Sequence, residues 1–164
     1  MTEATTFNLG DKIEMIHHLI REGALGPKEI AQLRRLDFQR PDQPAFWRLM
    51  VTYIEPGRNL SAERLRNWAL LLTCMARTDY SPRIPLGAAL AMSGYSDLRF
   101  TRLLRMAGDS RLTSIQTACL FLANKRQGFN WVDLARLVLT VDPEKITQFH
   151  QEMATSYYRN KENR

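Results

Sequence analysis

Three arginines, Arg99, Arg102 and Arg105, recur at intervals of three in SDLRFTRLLRMAG, residues 96–108. On a helix these positions fall within an arc of about 120°, where like charges three and four apart cost a few tenths of a kcal/mol each. Asp97 points to a different face and cannot answer all three. The chemistry such a row offers is the holding of a polyanion, because each planar guanidinium presents paired donors that match phosphate oxygens. The competing reading is a solvated charged face that binds nothing.

Other basic residues favour the first reading. Arg34 and Arg35 close a second helical stretch, with Arg40 in the loop after it, and Arg48 sits in AFWRLM. Arg58, Arg64 and Arg66 bracket the start of a fourth helix, and Arg111 opens a long later one. A fold that gathers several of these makes a positive groove for a sugar-phosphate backbone. Arg48, beside Phe46 and Trp47, also reads as a stacked structural residue. Aromatics are not interleaved through the basic stretch as on single-strand stacking platforms, which favours backbone contact over base reading.

Charge is unevenly distributed. The net charge is +6 over 164 residues. Residues 28–126 alone carry 16 basic against eight acidic side chains, whereas residues 1–27 are net −2 and residues 127–164 cancel. The excess is confined to the middle of the chain.

The residues that would serve catalysis are not arranged for it. His17 and His18 are adjacent and about 100° apart on a helix, so they cannot share a metal, and His150 stands alone. There is no H-E-x-x-H and no Cys/His cluster. GALGPK lacks the spacing of a phosphate loop, and AMSGYS is not a G-x-S-x-G elbow. Cys74 and Cys119 lie in apolar helical runs and read as buried reduced thiols. The expectation is a protein that is not an enzyme, with no cofactor, metal or small-molecule substrate.

The elements that position the arginines are helices. The spacing predicts helices over 11–21, 27–36, 44–54 and 62–77, with Gly23 as a stop, Pro27 and Pro44 at first-turn positions and Ser61 as a cap. After TDYSPRIP come 86–94, 96–108 and a long helix from 110 stopped by Gly128. Asn130 with Asp133 caps the next, and Asp142 opens a last helix that ends near Arg159, leaving NKENR to fray. No strand or internal repeat is evident. The expected class is all-α, two packed helical bundles with about nine helices, divided by the two prolines at 82 and 85 into residues 1–80 and 81–164. Mean hydropathy is −0.33 and no apolar run approaches the roughly 18 residues of a membrane span. MTEATTFNLGDK lacks the pattern of a signal peptide, so the expected location is the cytoplasm.

LGAALAMSGYSDLRFTRLLR also has the form of a helix-turn-helix, which would make the chain a double-stranded DNA-binding regulator. Against that, residues 96–105 contain no Asn or Gln. A third reading is an assembly adaptor that does not touch nucleic acid.

PAFWRLM, the LGAALAMSG helix followed by LRFTRLLR, and NWVDLARLVL resemble, in that order, the small subunit of the type I-E CRISPR surveillance complex Cascade, the CasB family. The resemblance covers residues 11 to about 158. It implies an all-helical, non-catalytic subunit present as a pair of copies, touching the backbone subunits and the large subunit. It also implies a role in holding the guide RNA–target DNA hybrid and the displaced strand. On the same basis Arg34 and Arg35 match paired arginines of the family and Arg48 the arginine after its aromatic pair. Arg99, Arg102 and Arg105 lie in the family's basic helix, Arg111 falls close to a basic position beyond it, and Arg64 and Arg66 follow less directly. The chain departs from the family around Cys119, where TACLFL stands in place of expected arginines.

Overall fold

The structure is a computed structural model that describes residues 8–163; residues 1–7, most of the stretch in which no signal peptide is expected, and Arg164 lie outside. The described residues form nine helices and no strand. Helix α1 spans Leu9–Arg21, α2 Pro27–Arg34, α3 Pro44–Leu49, α4 Ala62–Arg77 and α5 Leu86–Met92. Then follow α6 Asp97–Arg105, α7 Gly108–Asn124, α8 Trp131–Leu139 and α9 Pro143–Glu162. No helix is long and apolar enough to cross a membrane.

Local chemistry sets most of the boundaries. The side chains of Asn8, Ser61, Ser96, Asn130 and Asp142 each accept a hydrogen bond from a first-turn amide, meeting donors that a helix start leaves unpaired. Past the ends of α1 and α5, Gly23 and Gly94 turn the chain with φ of +81° and +85°, a conformation that costs glycine little.

Four expectations are corrected. The helix expected over 44–54 changes pitch: after Leu49 a π-helical turn, Met50–Ile54, closes with Glu55 N–H donating to Met50 O at 2.9 Å, and it keeps both Met50 and Ile54 buried. Arg126, at φ 52°, rather than Gly128, turns the chain out of α7. Gly128 answers a different constraint, since a Cβ there would lie 2.3 Å from Ser81 Oγ. Asp133 does not cap its own helix; its carboxylate accepts from Leu86 N–H at 2.9 Å and so caps α5. Helix α9 continues through Asn160–Glu162 instead of fraying, because Asn160 Nδ2 donates back to Ser156 O at 2.8 Å and Lys161 pairs with Asp97.

Helix α4 is the axis of the fold. Every residue from Asn67 to Ala76 is buried, and α2, α7 and α8 pack around it. The two halves expected on either side of residue 80 share one continuous hydrophobic cluster, from Ile13 to Tyr157. An isolated parallel bridge, Tyr80 with Phe129, ties the chain leaving α4 to the chain leaving α7. Phe129 N–H donates to Asp79 O at 3.2 Å and Ser81 N–H to Phe129 O at 2.9 Å. The C-terminal ends of α4 and α7 therefore emerge side by side. Helices α5 and α9 pack backbone to backbone at Gly87, where a Cβ would stand 2.3 Å from Met153 O.

Candidate nucleic-acid interface

Helix α6 is anchored along one side. Phe100 and Leu103 are buried, and Phe100 lies flat on Tyr157 of α9, centroids 4.1 Å apart and planes 3° apart. Leu104 is partly covered, and Ala107 is exposed in the two-residue link to α7. With that side fixed, the helical period turns Arg99, Arg102 and Arg105 outward, and all three are exposed. None has an ion-pair partner among the described residues. Asp97, the nearest acid in sequence, is engaged elsewhere: it accepts from Lys161 Nζ and, at 3.2 Å, from Tyr157 Oη. The Lys161 ammonium holds its carboxyl below the usual range.

Phe121 of α7 is approached by two cations, one from α6 and one just past the end of α7. The Arg99 guanidinium lies 5.9 Å from the Phe121 ring centroid, and Lys125 Nζ lies 5.7 Å from the same ring. Both sit at cation–π range. Lys125 was legible in the sequence only as a helix-end charge; that Arg99 reaches the same Phe121 ring is tertiary.

At the end of α4 the arginines do structural work. Arg34 Nε donates to Ala76 O at 2.9 Å, and Arg77 Nε donates to Arg34 O at 2.9 Å. Each thus satisfies a carbonyl left over at the end of the other's helix, the contact that a helix C-terminus favours for a cation. Arg35 is exposed with no side-chain partner among the described residues. Through the Tyr80–Phe129 bridge this end of α4 adjoins the end of α7, which carries Lys125 and Arg126.

The remaining candidates are spread over other surfaces. Arg48 Nη1 donates to both carboxylate oxygens of Glu29, at 3.0 and 3.1 Å. Arg64 and Arg66 are two apart on α4 and so point about 200° apart. Arg64 turns to Glu55, 4.0 Å away, a buried carboxylate that also takes Lys12 at 3.2 Å and Arg58 at 3.3 Å. Arg66 turns to a cavity it shares with Arg40 and Trp47. Arg111 is half-buried and donates to the carbonyls of Leu137 and, at 3.4 Å, Val138 at the end of α8. Burial pulls its guanidinium down, opposed by the charge of Glu63. The structure brings Arg99, Arg102 and Arg105 together, and Arg34 with Arg35; it gives Arg48 and Arg111 partners within the fold.

The other reactive side chains serve packing or, for His18, a surface ion pair. His17 meets the edges of Tyr80 and Trp131, centroids 4.9 and 5.6 Å away, and His18 pairs with Glu22. His150 is half-buried, and burial together with the Arg111 charge pushes its pKa down. Cys74 and Cys119 are both buried and free. Among the described residues no three of His, Cys, Asp and Glu group as a metal site.

Comparison with known proteins agrees with this arrangement of helices. The chain is similar to a protein in the crystal structure of E. coli Cascade bound to a PAM-containing double-stranded DNA target, with a TM-score of 0.64 and 21% identity over 90% of this chain and 97% of that one. It is similar to CasB from Thermus thermophilus, with a TM-score of 0.67 and 20% identity over the same shares. Among curated protein sequences none matches. The family model for CRISPR-associated protein Cse2 matches residues 29–158, four-fifths of the chain, and by that match the chain belongs to the Cse2 family.

Proposed function

We propose that this chain is a non-catalytic subunit of a type I-E CRISPR surveillance complex in the cytoplasm. In this reading it grips nucleic-acid backbone without reading sequence and so steadies the guide RNA–target DNA hybrid and the displaced strand. Family membership supports the assignment to such a complex, and the one observation that carries the grip is the α6 row. Three exposed guanidiniums stand on one helix face with no ion-pair partner among the described residues, and the first of them approaches the Phe121 ring, as Lys125 does. Exchanging a DNA duplex for an RNA–DNA hybrid is nearly balanced in energy, so a modest gain from backbone contacts is enough to tip it. Guide pairing supplies the specificity. The partners in this reading are the backbone and large subunits, a second copy of the chain, the guide RNA and the target DNA.

The test is Arg99→Ala with Arg102→Ala. Target retention by the assembled complex weakens to the same degree on every target sequence. A double variant that changes which sequence is retained supports helix-turn-helix readout instead, and one that changes nothing supports an adaptor.

A further inference from the structure

Of the three tryptophans, Trp68 and Trp131 are fully buried, while Trp47 on α3 is 42% exposed. Its indole forms a wall of two cavities. One, of about 270 Å³, has Arg40 and Arg66 on its rim with Gln39 and Asp42, over the apolar Leu65. The other, of about 380 Å³, continues past Trp47 to Arg58 and Asn59. Both guanidiniums that line the first cavity are short of partners among the described residues: Arg66 Nε is buried without an acceptor, and Arg40 has no ion-pair partner.

A flat apolar wall, two guanidiniums at its edge and an amide and a carboxylate within reach match one kind of ligand. An apolar protein side chain would leave the donors unmet, and an acidic one would leave Asp42 without a donor. A nucleotide satisfies the set: the ring stacks on the indole, the phosphate takes the guanidiniums, and a base-edge N–H, which all four bases carry, can donate to Asp42 or Gln39. A base already inside a duplex has both faces covered by its neighbours, so only an unpaired base can stack there. We propose that the cavity beside Trp47 takes one unpaired nucleotide of a single strand, its base on the indole and its phosphate on Arg40 and Arg66. The inference rests on the nucleic-acid reading above and deepens it, adding a preference for single strands to a grip on backbone. Every base has a face to stack, so no sequence preference follows. Trp47 and Arg66 are 19 positions apart in the chain, which is why no interleaving of aromatic and basic residues shows in the sequence.

Burial of the other two tryptophans makes intrinsic fluorescence of the full chain a probe of Trp47. Three ligands of about 15 nucleotides suffice, a length within the usual footprint of single-strand-binding surfaces: oligothymidylate, the same backbone with abasic residues, and a duplex. Oligothymidylate is expected to quench the emission, whereas the abasic strand and the duplex bind, as read by anisotropy of a labelled strand, without quenching. Trp47→Ala is expected to weaken oligothymidylate by about 5- to 150-fold, the range of one lost stacking contact, and to leave the other two unchanged. Trp47→Phe, which keeps a ring and its contact with Phe46, retains most of the affinity. Equal quenching by the abasic strand, or an equal loss on all three ligands in Trp47→Ala, overturns the proposal. Binding of oligothymidylate without quenching overturns it and leaves the α6 grip standing; α6 variants that bind and quench as the wild type does remove the α6 grip and leave the proposal standing. Failure of every ligand to bind removes both.

Discussion

Replacing Arg99, Arg102 and Arg105 together by Gln removes three positive charges without touching the side of α6 that is packed. Six residues separate the first from the last, about 9 Å along the helix axis. Successive phosphates of one strand of a B-form duplex rise by about 3.4 Å, so the row spans two to three such steps, enough to face three phosphates. Each phosphate neutralised on a single strand contributes about −0.7 to the slope of log K against log salt. Losing three should therefore flatten that slope by about 2. Between about 50 and 200 mM salt, the wild-type affinity then falls about 16-fold further than that of the variant. Fluorescence anisotropy with a labelled random-sequence single strand at four or five salt concentrations measures this directly. Arg48→Gln is the control, because Arg48 already serves Glu29, and its slope should match wild type. Phe100 and Leu103 stay in place, and the like-charge repulsion of a few tenths of a kcal/mol per pair that is relieved offsets the lost contact of Arg99 with the Tyr95 and Phe121 rings, so the melting temperature of the triple variant should change little. A slope unchanged in the triple variant, or flattened equally by Arg48→Gln, refutes the assignment of α6 as the gripping surface.

Arg111→Met keeps the buried stem but leaves the α8 carbonyls without their donor, and should cost about 1–3 kcal/mol in urea unfolding with the salt slope of binding unchanged. Gly87→Ala pushes a methyl into the α9 backbone at Met153, which cannot yield as a side-chain tip can; a loss of roughly 2 kcal/mol or more is expected by the same measurement. His150 has a folded-state pKa below its ordinary 6.5, from burial first and the Arg111 charge second. The unfolded chain therefore takes up the proton more readily, and stability falls as pH drops below about 6.5. Thermal melts of His150→Gln between pH 8 and 5 should show a shallower fall than wild type.

Helix class and most helix starts were legible because they depend on residues close in sequence. Ser61, Ser96 and Asp142 cap helices whose first amides lie two or three residues away. The exposed side of α6 was legible for the same reason, since a period of 3.6 fixes which residues face together. What each arginine touches was not, because the partners are distant in the chain. Arg34 reaches Ala76 and Arg111 reaches Leu137, and both contacts are to backbone carbonyls, which carry no signature in the amino-acid type. Asp133 was misread for this reason too: its position fits a cap for α8, yet the amide it serves, that of Leu86, belongs to another helix. The π-helical turn after Leu49 left no local trace either, as MVTYI reads as an ordinary continuation.

The pairing of Lys161 with Asp97 gives the last turn of α9 a say in the field around α6. Trimming the chain after Tyr158, a routine shortening of a charged tail, would strip Asp97 of its ammonium and leave a bare carboxylate at the head of the arginine row. Such a shortened protein would fold around the same core and still attract polyanions less, so the C-terminus is a poor place to cut or to attach an acidic tag.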